Sequence, residues 1–396
     1  EIMPSLVGSE MCIRDSDNAA TTFPKPEEVY VALDKANRNY AFNAGRGSYK
    51  VAKNAAKIID NTREEIASLV NSRKEEVVFT TSSTEALNFI IFGLDWQTGD
   101  NVYVSPFEHN SIMRPLEEIR KRYNIKIHII PFNKEDWTVS DDLEDMFILN
   151  KPKYIFCSSK SNVTGYIMPY KKIFELGKKY NSINVLDASQ SFGVDRSITK
   201  NYTDFIVFAG HKSLYASFGI AGFIKIYSKK LKTWIFGGTG SDSLNLNMPE
   251  EEPLKYEAGS KNIIAIYGLS ESIKWLKETE VAQKEEQLSQ YLYERVKKLE
   301  KVIMYVPKDL NNWSGILSIN VEGYTSEQVG DILEEFEICV RAGYHCAPLI
   351  HDFIDSKKYY GTVRISLNYF NTKGDIDLLI AVSYTHLRAH ETRHDL

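Results

Sequence analysis

The sequence predicts an α/β protein: a large domain on a mostly parallel sheet, followed by a smaller α+β domain. Three observations carry that expectation. The runs at 185–187 and 204–208 are continuously apolar rather than alternating, the pattern of strands buried on both faces. Strand-like and helix-like segments alternate through the first two-thirds of the chain, the rhythm of helices layered on a sheet. From about Gly268 the rhythm changes. The reading therefore places a large domain at 17–267, with an N-terminal lead-in, and a small one at 268–381.

Taken in order, 17–22 (DNAATT) opens the core, and Pro24 and Pro26 forbid a regular element, giving an extended lead-in. A helix follows at 27–39. The glycine turn 43–47 precedes a long amphipathic helix at 48–70; Arg46, between two glycines, suits either an approach to a ligand anion or a plain helix-to-helix turn. Residues 76–80 form a short strand that turns through 81–86 (TSSTEA) into a helix at 85–94. Hydroxyls there, Ser83 and Thr84 among them, serve as caps, or as a cradle for an anion at the helix N-terminus.

The strand at 101–106 ends in Phe107-Glu108-His109-Asn110, so His109 falls where ligands bind in such sheets, either stacked on a planar ring or starting a helix and facing water. Residues 125–131 alternate as a strand. The strand at 153–157 leads to Asn162, a second polar group near a strand end, and a helix spans 170–180. Beyond Lys212, 221–226 is a strand turning back, 236–240 a glycine loop, and 257–262 a turn carrying Ser260. A long polar helix at 281–301, a strand at 315–321, a helix at 326–336, the segment 340–348 and a strand at 362–367 with a lone Arg364 complete the chain.

The centre of this organisation is 185–212. One apolar run ends in Asp187, with Gln190 just after; the next leads into Gly210-His211-Lys212. An acid and a lysine thus lie at the same end of two neighbouring strands. A lysine amine can condense with a carbonyl cofactor, and an acid can pair with a pyridinium nitrogen. Together they are the minimum equipment for pyridoxal phosphate (PLP).

Composition excludes other classes. The net charge of −5 gives no electrostatic reason to expect nucleic acid. No apolar run approaches the ~18 residues of a membrane span, so no membrane partner is expected. Of four cysteines, Cys157, Cys339 and Cys346 lie in the core and are too few and unpatterned for a disulfide framework, which predicts a reducing cytoplasm. Cys339, His345, Cys346 and His351 match no closed zinc spacing, so no metal is expected.

Residues 1–16 and 382–396 read differently. The first lacks the basic start and apolar core of a signal peptide; the last carries His386, His390 and His394 without helical or strand period. Both resemble translated sequencing-adapter sequence, and both are expected to be non-native tails outside the core.

DNAATT at 17–22, SSTEALN at 82–88, EHNS at 108–111, SNVTG at 161–165, DASQ at 187–190, GHK at 210–212, EAGS at 257–260, RAGYHCAP at 341–348 and TVRISL at 362–367 span the core in one order. With them the chain resembles the cysteine desulfurases of the class V aminotransferase family, the short-loop, SufS-like group that overlaps with selenocysteine lyases. That resemblance implies the PLP-dependent transferase fold, fold type I, aspartate aminotransferase-like. It implies L-cysteine, or L-selenocysteine, as substrate. It also implies a sulfur-acceptor protein as partner, iron–sulfur cluster assembly as a destination, and a homodimer.

By the same resemblance Lys212 binds the cofactor covalently and moves protons, Asp187 pairs with the pyridine nitrogen, Gln190 contacts the ring hydroxyl and His109 stacks on the ring. Ser83, Thr84 and His211 hold the phosphate, and Ser260 reaches the phosphate of the other subunit. Arg364 pairs with the substrate carboxylate, a job suited to a planar guanidinium, with Asn162 near it. Cys346 takes the substrate sulfur as a persulfide. One departure stands out. Where the family commonly has Ser or Thr before Gly-His-Lys, this chain has Ala209, removing one phosphate hydrogen bond. Tyr344 is a smaller variation that bears on access to the thiol. A class V aminotransferase, with Cys346 a bystander, is the rival within the family.

Overall fold

The computed structural model describes residues 14–44, 49–240 and 244–389; Arg46 and the outer parts of both termini lie outside these. In chain order the elements are β1 (Arg14–Asp15), α1 (Glu27–Asn39), α2 (Lys50–Ser68), β2 (Val77–Thr80), α3 (Ser83–Gly93), β3 (Asn101–Val104), α4 (Asn110–Tyr123), β4 (Lys126–Ile129), α5 (Asp142–Leu149), β5 (Tyr154–Ser158), α6 (Tyr170–Lys179), β6 (Ile183–Asp187), β7 (Phe205–Ala209) and β8 (Ala221–Lys225). They continue with α7 (Ile263–Glu278), α8 (Val281–Val296), β9 (Val302–Tyr305), β10 (Ile316–Val321), α9 (Ser326–Glu334), β11 (Ile338–Cys339), β12 (Arg341–Gly343), α10 (Ile350–Phe353), β13 (Thr362–Ser366) and α11 (Lys373–Ala389).

The chain divides into two compact units. The larger comprises Pro24–Ser161 and Ile167–Glu280; the smaller comprises Glu1–Phe23, Asn162–Tyr166 and Val281–Leu396. The larger is built on a seven-stranded sheet of order β2-β8-β7-β6-β5-β3-β4, parallel except for β8. Strands β2, β5, β7 and β8 are buried along their whole length, which is why their sequences run apolar without alternation. Thr80 and Ala209 both pair with Ala221, Val207 pairs with Asp187, and Asp187 pairs with Ser158. The carboxyl ends of β2, β7, β6 and β5 therefore line one rim of the sheet, where an α/β sheet binds its ligands.

The division falls after Glu280 rather than at Gly268. Helix α7 packs against α1 and α2 and buries Ile263, Ile266, Leu269 and Ile273, so it belongs wholly to the larger unit.

The smaller unit has a four-stranded antiparallel sheet, β12-β13-β10-β9, with α8, α9 and α11 packed around a core that includes Leu292, Val296, Leu317, Val363, Ile365 and Ile376. Residues 162–166 join it because their carbonyls are taken there. Ser318 Oγ donates to Val163 O at 2.6 Å, Trp313 Nε1 to Thr164 O at 2.8 Å, and Ser314 N to Gly165 O at 3.1 Å. Gly165, at φ 72°, is required: a Cβ there would lie 2.5 Å from Ile316 O.

Parts of the expected tails at 1–16 and 382–396 are packed within the smaller unit. β1 pairs in parallel with β11; Ser16 is buried, donating its N–H to Cys339 O at 2.9 Å and accepting from Ser366 N at 2.6 Å. At the other end Val382 and Ser383 are buried within α11. Both segments fill places that the core offers.

Candidate active site

In the larger unit the chemistry collects on the rim defined above. β6 delivers Asp187, 7% exposed, with Oδ1 accepting from both the backbone N–H (3.0 Å) and the hydroxyl (2.5 Å) of Ser189. Its Oδ2 accepts no hydrogen bond among the described residues, so one oxygen is fixed and the other is available to a ring N–H. Gln190 is half-buried three residues on.

β7 delivers Ala209, Gly210, His211 and Lys212. The turn is closed by Ala216 N donating to Gly210 O and Tyr215 N to Lys212 O, both at 2.8 Å. Gly210 has no room for a side chain: a Cβ would sit 2.6 Å from Ile220 O. The His211 ring stacks on Phe218 at 4.5 Å, and its carbonyl accepts from Lys25 Nζ at 3.0 Å. Burial, with Lys212 and Lys25 nearby, lowers its pKa to about 3, so the ring is neutral. Lys212 is half-buried.

β2 leads into α3, whose cap is Ser82, accepting from Glu85 N at 3.1 Å. Ser83 and Thr84 occupy the first turn instead, and their hydroxyls bond to no described residue. Two hydroxyls beside a helix N-terminus suit a phosphate. On donor chemistry, then, the rim fits PLP: an amine, a half-occupied carboxylate and an anion-ready helix start.

His109, after β3, caps α4. Its Nδ1 accepts from Ser111 N at 3.0 Å, which places the proton of the neutral ring on Nε2. The helix-start position expected for it is present; the ring is half-buried.

Beside it is a residue to which sequence reasoning gave no role. Glu108 is fully buried and accepts from Ser105 Oγ (2.5 Å), Ser158 N (2.8 Å) and Ser158 Oγ (2.8 Å), tying the ends of β3 and β5 together. Burial, reinforced by the charge of Asp187, pushes its pKa up to about 7. The only signal in the sequence was a carboxylate directly after an apolar strand.

Ser260 is exposed, with its hydroxyl 3.5 Å from Asn43 Nδ2. Its turn is anchored by buried Glu257, which pairs with Arg63 at 2.5 Å and accepts from Phe79 N at 2.8 Å.

The smaller unit brings together Arg364, Asn162, His345 and Cys346. Arg364 is 1% exposed on β13; its Nη1 donates to Asn162 O at 3.0 Å and its Nη2 to Asp17 Oδ1 at 2.5 Å. The Asn162 side chain donates to His345 O at 2.9 Å. His345 is buried, with Nε2 donating to Thr362 O at 3.0 Å and lying 2.9 Å from Thr362 Oγ1; burial holds its pKa well below the ordinary histidine value. His351 fixes the same loop by donating Nε2–H to Tyr344 O at 3.0 Å. On this frame Cys346 is exposed, and both His345 and Cys346 take left-handed φ, 50° and 55°. Side chains rarely hold that conformation unless their surroundings enforce it. Sequence reasoning gave Asp17, Thr362 and His351 no supporting role; those of Asp17 and Thr362 depend on contacts made across the chain.

Comparison with known proteins gives the family. A family-wide sequence model of class-V aminotransferases matches residues 16–379. A probable cysteine desulfurase from Halalkalibacterium halodurans is 30% identical, over 94% of this chain and 92% of its own. One from Pyrococcus abyssi is 29% identical, over 92% of each. The solved apo structure of a cysteine desulfurase from Thermococcus onnurineus superposes with a TM-score of 0.87 at 27% identity, over 94% of each chain. The fold is accordingly the PLP-dependent fold type I that the sequence predicts. The chain belongs to the class-V aminotransferase family, in the group of cysteine desulfurases.

Proposed function

We propose that this chain is a PLP-dependent cysteine desulfurase that converts L-cysteine to L-alanine and carries the released sulfur as a persulfide on Cys346. The observation that carries the reading is the exposed thiol of Cys346, held on a strained turn by the His345–Thr362 and Asn162–His345 hydrogen bonds in the unit that bears Arg364.

PLP, when bound, supplies an electron sink for the charge left at the substrate Cα. Lys212 would hold it covalently, Asp187 would keep its ring nitrogen protonated through the open Oδ2, Gln190 would meet its ring hydroxyl, and Ser83, Thr84 and His211 would hold its phosphate. His109, with Nδ1 committed to Ser111, is oriented to present an N–H or the ring face. Arg364 binds the substrate carboxylate, with Asn162 beside it. The Lys212 amine would take the proton from the substrate Cα and return one. The Cys346 thiolate attacks the substrate sulfur, the Cβ–S bond breaks, and the carbon skeleton takes a proton to become alanine. A thiolate is needed because the thiol is a poor nucleophile.

The same reading includes a homodimer and a sulfur-acceptor protein that unloads Cys346, with iron–sulfur cluster assembly as a destination. The dimer is supported by exposed Ser260 lying in one broad concavity with Phe236 and Leu246, themselves 72% and 101% exposed. Among the described residues no helix is long and apolar enough to cross a membrane.

The test is alanine and sulfide release from L-cysteine, with reductant, by PLP-loaded wild type and Cys346→Ala. Alanine from wild type and none from the variant is the expected result. A variant that keeps full activity on selenocysteine alone would favour a selenocysteine lyase. Keto acid in place of alanine would favour an aminotransferase.

A further inference from the structure

The guanidinium of Arg364 already holds a carboxylate. Asp17 Oδ1 lies 2.5 Å from Nη2, while Nη1 is committed to Asn162 O at 3.0 Å. The remaining donor, Nε, is buried and bonds to no described residue. Nε and Nη2 form the side-on edge of a guanidinium, the edge that Arg120 presents to both oxygens of Glu117 at 2.7 Å in this same chain. Asp17 thus fills half of a two-pronged carboxylate site and leaves the other half open.

The two partners differ in freedom. The Arg364 side chain is 1% exposed and that of Asp17 25%. Asp17 has a second cation at hand, Arg341, whose Nε lies 3.6 Å from its other oxygen and which is itself 47% exposed. The Asp17 backbone is fixed by its bridge to Ser366 and by its N–H donating to Asp15 Oδ1 at 2.8 Å, so only the side chain can leave. A buried cation with no partner is costly, which gives the resting protein a reason to keep a carboxylate there. A second carboxylate on the same edge would meet like-charge repulsion unless Asp17 withdrew toward Arg341.

We propose that Asp17 is a displaceable stand-in for the substrate carboxylate: it pairs Arg364 at rest, yields the Nε–Nη2 edge to an incoming α-amino acid, and so sets how weakly such ligands bind. Asp17 is a positioning residue in this role. The inference rests on the reading of Arg364 as the substrate-carboxylate residue.

The experiment titrates PLP-loaded enzyme with L-alanine and with ethylamine, which lacks the carboxylate, and reads Kd from the cofactor absorbance. Asp17→Asn should lower the Kd for L-alanine about tenfold, equivalent to about 1.4 kcal/mol, and leave that for ethylamine unchanged. Asp17→Ser carries the same expectation and serves if the first variant does not fold. Arg364→Lys should raise the Kd for L-alanine. An unchanged or raised L-alanine Kd in both Asp17 variants, or an equal change for both ligands, overturns the proposal while leaving the reading of Arg364 intact. No effect of Arg364→Lys overturns that reading and the proposal with it.

Discussion

His345 Nε2 donates to the carbonyl oxygen of Thr362 at 3.0 Å, and the next residue is the thiol Cys346. The bond joins the loop to the first residue of β13, the strand that two residues later carries Arg364. The carboxylate-binding arginine and the sulfur-accepting cysteine are thereby referred to one strand.

The first prediction concerns that bond and acid. The folded-state pKa of His345 is depressed, so the unfolded chain takes up a proton that the folded chain refuses. Its contribution to stability is complete above the ordinary histidine value, about 6.5, and is lost as pH falls below it. His345→Gln retains a donor toward Thr362 and cannot titrate. Denaturation midpoints at pH 7 and pH 5 should fall further for wild type than for this variant. His345→Ala, losing the anchor, should lower kcat about tenfold, consistent with a displaced reacting group.

Glu108 has the opposite sign. Its folded pKa, about 7, lies above the ordinary 4.5, so the folded state holds the extra proton. The stability that Glu108 contributes is present at low pH and is lost as pH rises from about 4.5 through 7. Glu108→Gln keeps the shape and can still accept from Ser158 N. Relative to wild type, this variant should gain stability as pH rises from 5 to 8, read by chemical denaturation at each pH. A difference independent of pH would show that Glu108 is ionised throughout.

Ala209 ends β7, at the position where the family resemblance implies a hydroxyl bonded to the cofactor phosphate. Ala209→Ser should tighten PLP binding about tenfold, the worth of one hydrogen bond to a charged acceptor. Equilibrium binding of PLP to the apoprotein measures it. An unchanged Kd would mean that the phosphate is already saturated by Ser83, Thr84 and His211.

The sheet was legible because burial writes itself into sequence as continuous apolar runs: the strands at Asp187 and Ala209 lie within a residue or two of their predicted ends. Helix α1 matches its predicted limits. Helices α4 and α5 left no comparable signal. α4 carries Pro115 in its interior, and α5 spans only eight residues, DLEDMFIL. The motifs singled out candidate site residues, but not their supports. Nothing near Arg364 in sequence points to Asp17, 347 positions away, and nothing near Cys346 points to Thr362. The domain limit was misplaced because a change of rhythm does not say which unit a helix packs against.

The central claim is that sulfur passes through Cys346. The most direct measurement is the mass of the Cys346 peptide after PLP-loaded enzyme meets L-cysteine without reductant. The account predicts a peptide heavier by one sulfur atom, restored to its original mass by reductant, with an equal amount of alanine in solution. Alanine formed while that peptide stays unchanged would contradict it.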